Sequence, residues 1–250
     1  MARQSSIFKF EGLLDDVSFY KSSGEFRVRR KGGANRDRIA NDPAFRKFRA
    51  HTLDFTRASS AAKLLRKSIE GLLNQATDPG MVNRLICGMF NVVKADVTNP
   101  KGRRTIIDGD VELLTGFDFN TNATLSTVLR ISSRYSIDRG SGLMSVDLPS
   151  FDPQEVLSAP KDCTHFKIKL AGSAIDFANN EFVTDTTETG QKLMTDDTQP
   201  VQLACRLPVN SVHPLFLVHT IEFFVKENGA STKKIKEHSN PLSIVKVSGV

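Results

Sequence analysis

The spacing of apolar residues changes once along this chain, and that change most constrains the fold. Between Phe45 and Leu72 apolar residues recur every three or four positions, which is the period of an amphipathic helix. A second stretch of this kind runs from Met81 to about Ala95. From about Asp118 onward short alternating segments separated by turn residues take over, as in β-strands. The sequence therefore predicts an α+β protein.

Both helical stretches begin with a recognisable signal. Asp42-Pro43 precedes the first and Asp78-Pro79 the second. Aspartate accepts hydrogen bonds from the free N–H groups of a first helical turn, and proline fits that turn. The short connection between the stretches predicts an antiparallel helical hairpin. Phe48 and Phe55 fall on the apolar face of the first helix, so we expect them in the core.

Before the helices, alternating residues predict a small β-ribbon. Three segments alternate, namely Ser6–Phe10, Val17–Lys21 and Glu25–Arg30. In the last of them Phe26 and Val28 share one face, while Arg27 and Arg29 share the other. A ribbon of two or three strands is not stable alone, so we expect it to pack against another surface.

The second half of the chain is a series of strand candidates separated by turn signals. They are Leu125–Ile131, Tyr135–Asp138, Leu143–Leu148, His165–Leu170, Ala174–Phe177, Glu181–Val183, Val201–Cys205, Leu215–Lys226 and Leu242–Val247. This spacing predicts an all-β sandwich and leaves immunoglobulin-like and jelly-roll wiring as alternatives. We therefore predict a basic β-ribbon and helical-hairpin domain at residues 1–112, followed by a β-sandwich domain at 113–250.

Positive charge is concentrated near the N-terminus. Lys21 to Lys67 holds fourteen Lys or Arg residues against four Asp or Glu, a net +10 in a protein whose total is +6. Up to Arg104 the chain is +11 and after it −5. Three interpretations stay open: contact with a neighbouring subunit, contact with a polyanion such as nucleic acid, and a merely solvated face. The candidate contact residues are Arg27, Arg29, Arg30, Lys31, Arg36, Arg38, Arg46, Lys47 and Arg49.

The sequence shows none of the familiar catalytic or cofactor-binding patterns. Its five histidines and three cysteines lack metal-ligand spacing, and there is no G-x-S-x-G and no glycine-rich phosphate loop. We therefore predict a non-enzymatic protein with no cofactor, metal or small-molecule substrate. No 18-residue apolar run and no signal-peptide pattern is present, which favours a cytoplasmic protein without a membrane span. Release by lysis or leaderless export stays open.

Several segments resemble a group of bacterial proteins, of Bacteroidota type, for which no activity is assigned. The resemblance rests on Gly12–Lys21, Arg30–Gly33, Arg38–Phe45, Phe55–Arg66, Asn210–Leu217 and Val245–Val250, and so covers most of the chain. It implies a bacterial origin and carries no mechanism.

These observations together predict a structural protein that self-assembles into a filament, tube or phage-like particle. The uneven charge suits head-to-tail contacts between copies, and such contacts generate open assemblies when the rotation does not close. The ribbon could also extend the sheet edge of a neighbouring copy. A nucleic-acid-binding accessory protein that uses the basic N-terminal region is the alternative.

Overall fold

The computed structural model describes residues 2–30, 32–73, 76–226, 232–234 and 240–250, with the backbone alone at 232–234. It has helices and several antiparallel sheets, which confirms the predicted α+β class. Two compact units make up the chain, Met1–Arg49 and Ala50–Val250, called here the N-terminal and C-terminal units. No helix in the described part of the chain is long and apolar enough to cross a membrane.

The N-terminal unit contains an antiparallel sheet of four strands in the order β1-β4-β3-β2. The strands are β1 (Ala2–Arg3), β2 (Gly12–Leu14), β3 (Val17–Ser22) and β4 (Glu25–Arg30). Ser23 and Gly24 join β3 to β4 with φ values of 52° and 81°, the left-handed backbone that tight hairpin turns require. A short helix, α1 (Arg36–Asn41), follows, and the side chain of Asn35 caps its first turn.

The predicted strand at Ser6–Phe10 is not formed. The segment pairs with no strand of the described residues, and the side chain of Gln4 instead bonds the backbone N–H and carbonyl of Phe10 at 2.8 and 3.0 Å. Alternation gives a segment the propensity for a strand, but the strand forms only where a partner edge supplies backbone hydrogen bonds.

Two helices dominate the sequence before the large sheet. After a 3₁₀ turn at Pro43–Phe45 come α2 (Arg46–Ser68), α3 (Glu70–Leu73) and α4 (Met81–Ala95). Phe90 of α4 touches His51 and Phe55 of α2, at ring-centroid distances of 5.1 and 5.6 Å. A second 3₁₀ turn, Val111–Leu114, follows α4 in the chain.

The remaining elements are two short helices and the strands of two antiparallel sheets. They are α5 (Leu125–Val128), β5 (Arg134–Asp138), β6 (Leu143–Leu148), α6 (Pro153–Val156), β7 (His165–Asp176), β8 (Glu181–Glu188), β9 (Lys192–Leu193), β10 (Val201–Arg206), β11 (Leu215–Lys226), β12 (Thr232–Lys234) and β13 (Leu242–Ser248). In the large sheet β7 and β11 pair along ten residues, from Leu215↔Ala174 to Phe224↔His165. β12 and β13 flank β11, and β8 and β9 flank β7. The small sheet has the order β10-β6-β5.

The large sheet is covered on both faces. Phe216 and Val218 of β11 share a hydrophobic cluster with residues of α2 and α4, whereas Leu217 and Phe223 share another with the small sheet. This explains why β11 is buried along ten successive residues and why its apolar residues do not alternate. The first cluster also includes Val111 and residues of the helices on one side of the predicted 112/113 boundary, with strand residues on the other. That boundary therefore passes through a shared core.

Two further predictions were wrong. Leu125–Ile131 begins with the helical turn α5 instead of a strand, because Thr124 accepts a hydrogen bond from the backbone N–H of Thr127 and caps it. Phe48 and Phe55 are 54% and 42% exposed. Their spacing identified the face of α2 that includes the buried Ala58, Ala62 and Leu65. Phe48 contacts Phe45 and Phe55 contacts Phe90, but these contacts leave both rings exposed.

Candidate docking surface

Strand register separates the side chains of the N-terminal sheet into two faces. β3 and β4 pair from Val17↔Arg30 to Ser22↔Glu25, so directly opposite residues share a face. One face carries Arg3, Tyr20, Glu25, Arg27 and Arg29 and is called the basic face. The other carries Val17, Phe19, Phe26 and Val28 and is called the apolar face.

On the basic face one carboxylate lies between two arginines. Glu25 accepts from Arg3 at 3.0 Å and from Arg27 at 3.2 Å. The guanidinium of Arg29 lies 5.4 Å from the ring centre of Tyr20, a cation–π contact. Three arginines against one glutamate leave this face positive, and exposed ion pairs of this kind stabilise a fold by only about 0–1 kcal/mol.

The apolar face is half-buried. The rings of Phe10 and Phe19 meet with their centroids 5.9 Å apart, and the ammonium of Lys21 lies 5.2 Å from the ring centre of Phe26. Val17 and Val28 are likewise only half-buried. Short contacts between neighbouring side chains hold this face together, but they do not remove it from water.

The N-terminal unit has no buried residue among positions 2–30 and 32–49. Large apolar side chains are instead exposed in and between its strands: Ile7 95%, Phe8 75%, Phe10 59%, Leu13 78% and Leu14 65%. A small sheet needs an apolar face packed against something else for independent stability. Strand register places Leu13 and Leu14 on opposite faces, so both faces of the sheet expose apolar side chains, and such exposed apolar surface marks sites that bind other molecules.

The predicted contact residues have different surroundings. Arg27 and Arg29 lie together on the basic face, and Arg3, which the sequence analysis did not single out, joins them there. Arg3 was missed because two residues of strand give no alternation to recognise. Arg30, next to Arg29 in the strand, lies on the apolar side, where it is 3.7 Å from Asp16.

The remaining predicted residues follow the sheet. Arg49 donates to the carbonyls of Ile39 and Asp42 at 2.8 and 2.9 Å, and Arg38 pairs with Asp42 at 3.2 Å, so both arginines hold the end of α1. Three others are exposed and stay candidates: Arg36, Arg46 and Lys47. Lys31 lies outside the described residues.

The net charge of the protein resides in the N-terminal unit. Residues 1–49 hold twelve Lys or Arg and six Asp or Glu, a net +6, whereas residues 50–250 hold twenty-two of each. The charge contrast seen in the sequence is therefore a contrast between a cationic unit and a neutral one. Two N-terminal units would repel each other, and a neutral surface with local acidic groups would not.

The perturbed ionisable groups of the C-terminal unit lie partly in loops and partly in strands. Burial alone would raise the pKa of Asp96, but hydrogen bonds from the backbone of Asn99, Thr105 and Thr98 lower it to about 2. Burial lowers the pKa of His219, which is hydrogen-bonded to Tyr135 at 2.8 Å, to about 4. Within the described residues no three His, Cys, Asp or Glu side chains are grouped so as to hold a metal ion.

Comparison with known proteins adds no relative. No family model, no curated protein and no solved structure matches this chain.

Proposed function

We propose that this is a non-enzymatic structural protein that assembles with copies of itself through its N-terminal unit. One observation carries the proposal: a four-stranded sheet and a helix together bury none of their described residues, while five large apolar side chains are 59% or more exposed. In the proposed assembly a second copy covers this surface.

The apolar side chains can supply the free energy that association needs. Burying one Ile, Leu or Phe side chain fully contributes about 1.5–3 kcal/mol. Five such side chains therefore contribute up to about 7–15 kcal/mol, and association costs roughly 4–15 kcal/mol in lost motion. Leu13 and Leu14 lie on opposite faces of the sheet, so neighbouring copies must enclose both faces for the full gain.

Charge favours a head-to-tail contact between unlike surfaces. The N-terminal unit has a net charge of +6 and the C-terminal unit is neutral, so the first would dock on the second of a neighbouring copy. Repeated head-to-tail contacts give a filament, a tube or a closed particle, depending on the rotation between copies. In the same proposal the small and large sheets form a β-sandwich of immunoglobulin-like or jelly-roll type that builds the body of each subunit.

Size and shape in solution test the proposal. Nuclease-treated protein should elute as large species, with a light-scattering mass far above 27.6 kDa, and negative-stain microscopy should show regular polymers or particles. A single mass of 27.6 kDa at high concentration would contradict self-assembly.

Charge reversal on the basic face gives a matched pair of variants. Arg27→Glu with Arg29→Glu should reduce the assembled fraction at least tenfold, since both side chains lie on one face. Arg134→Glu with Lys161→Glu makes the same charge change at exposed positions of the C-terminal unit and should assemble normally. Equal loss in both variants would show that only net charge matters.

Nucleic-acid binding is the second candidate, and the basic face favours it. Arg3, Arg27 and Arg29 lie on adjacent strands with Tyr20 among them, an arrangement that can contact phosphates. Binding of a labelled single-stranded oligonucleotide should then weaken linearly in log–log form as salt rises. Assembly of nuclease-treated protein together with no oligonucleotide binding at low salt would remove this candidate.

A further inference from the structure

Within the described residues, one alternating segment has no strand partner and one strand has an edge without a partner. The first is the segment Ser6–Phe10, whose residues alternate but pair with no strand of the described chain. The second is β8, an eight-residue strand at the edge of the large sheet. β8 pairs with β7 along one side, and no strand of the described residues pairs with the other.

The segment has the properties of a strand that awaits an edge. Ile7 and Phe8 are large apolar side chains, and they are 95% and 75% exposed. In an extended segment Phe8 and Phe10 lie on one side while Ile7 and Lys9 lie on the other. The backbone of Phe8 and Phe10 is bonded to the side chains of Ser6 and Gln4, which a strand edge could replace. Short segments of β-forming residues add to exposed sheet edges, where main-chain hydrogen bonds supply affinity and side-chain pockets supply specificity.

The β8 edge offers the matching surface. Beside it lies a cavity of about 600 Å³ that is lined by Phe182 and Val183 and by the loop from Pro208 to His213. Val183 is 51% exposed, so the edge presents an apolar side chain next to a cavity large enough for an aromatic ring. Glu181 belongs to the same lining and gives it an acidic group.

Charge identifies the occupant. Asp176, Glu181 and Asp185 lie along or beside this edge. The segment itself carries Lys9 and no acidic residue, although Glu11 follows it, and it belongs to a unit of net charge +6. We infer that Ser6–Phe10 of one copy adds as a strand to the free edge of β8 in a second copy. This inference rests on the proposed self-assembly and names the two surfaces that meet.

Complementation between two variants tests the pairing. Ile7→Asp with Phe8→Asp replaces the apolar side chains of the segment by charges and leaves β8 unchanged. Val183→Asp blocks the β8 edge and leaves the segment unchanged. All three residues are exposed, so both variants should fold, which thermal unfolding followed by circular dichroism checks. Val97→Asp, at a residue that is 94% exposed away from both elements in sequence, is the control and should assemble normally.

The expected result is specific to a head-to-tail contact. Each blocked variant alone should have the mass of one chain, 27.6 kDa, by light scattering. An equal mixture should reach twice that mass and no more, because only one segment and one edge remain in each pair. If Val183→Asp fails to fold, Thr186→Lys on the same strand replaces it, since an exposed lysine also blocks edge pairing.

Three outcomes would overturn the inference. A wild-type chain of 27.6 kDa at all concentrations would end the proposed function together with it. Normal assembly of the blocked variants would end the inference alone, because the copies would then meet elsewhere. Folded variants that stay single in the mixture would show that the segment and the edge do not pair with each other.

Discussion

The N-terminal and C-terminal units contain similar proportions of apolar residues but bury them to different extents. The C-terminal unit buries large side chains on both faces of its main sheet, with Phe216, Phe223 and Met144 fully covered. The N-terminal unit has a four-stranded sheet and buries none of its described residues. Burial, not strand pairing, supplies most of the free energy of folding. If the proposed self-assembly is right, the first unit needs a partner for stability and the second does not.

Truncation should break or confirm this comparison with the largest effect. A fragment of residues 50–250 should fold, with a cooperative unfolding transition close to that of the full chain. A fragment of residues 113–250 should not, because it loses α2 and α4, which cover one face of the large sheet. Circular dichroism and thermal unfolding measure both. Cooperative unfolding of 113–250 would instead support the boundary predicted from the sequence.

The next largest effect compares one phenylalanine from each unit. Phe216→Ala should lower the free energy of unfolding by about 3–5 kcal/mol, since it leaves a cavity between the sheet and the helices. Phe8→Ala should change it by less than about 0.5 kcal/mol in dilute protein, because Phe8 is 75% exposed. Urea titration of both variants, at a protein concentration too low for assembly, measures the two losses of unfolding free energy. Comparable losses would mean that the N-terminal unit has a core of its own.

The sequence predicts an element well when its formation depends on residues nearby in the chain, and less well when it depends on a distant strand or surface. The periods of α2 and α4, and strands such as Leu143–Leu148 and Leu215–Lys226, follow from local spacing and from apolar runs, and the structure has both strands at those bounds. The α5 turn was missed because one capping threonine outweighs a short β-like run. Local pattern specifies the face of an element and leaves open what covers it.

The candidate site shows the same limit. Phe48 and the segment Ser6–Phe10 have patterns typical of core and strand, yet Phe48 is 54% exposed and the segment pairs with no strand of the described residues. That Arg29 and Arg30 must lie on opposite faces could have been read from strand alternation. That Arg3 joins Arg27 could not, because the pairing of a two-residue strand is decided by the rest of the sheet.

Acid should weaken the C-terminal unit by an intermediate amount. Burial opposes ionisation of Asp78, but hydrogen bonds from Thr121, Arg84 and Gly80 outweigh it and hold the pKa at about 2, as for Asp96. The folded pKa lies below the unfolded value of 3.8, so each carboxylate contributes stability that is present above pH 4. Roughly 2 kcal/mol per group should be lost as pH falls from 4 through 2.

The unfolding free energy measured from pH 5 to pH 2 tests this sign. Asp96→Asn cannot take up that proton, so its stability should be lower at pH 5 and should fall less steeply with acid than that of the wild type. Parallel curves for both proteins would show that Asp96 is not the group whose protonation destabilises the loop between Asp96 and Thr105.

The smallest expected effect on the free energy of unfolding comes from replacing one paired glutamate by glutamine in each unit. Glu25→Gln weakens two exposed ion pairs on the basic face and should cost at most about 1 kcal/mol. Glu222→Gln breaks a more buried pair with Lys169 at 3.2 Å. Because Lys169 keeps its contact with Glu188 at 3.1 Å, the cost should be about 1–2 kcal/mol.

Salt separates the two cases more sharply than stability does. Exposed charges are screened within about 3 Å at 1 M salt, so the effect of Glu25→Gln on unfolding should vanish there, while that of Glu222→Gln should persist. Glu25→Gln also leaves Arg3 and Arg27 without their carboxylate and makes the basic face more positive. If this face meets an acidic surface of another copy, assembly at low salt should become slightly stronger even as the isolated chain becomes slightly less stable. A variant that assembles less well would place Glu25 itself in the contact, and the charge argument for the basic face would then need the opposite sign.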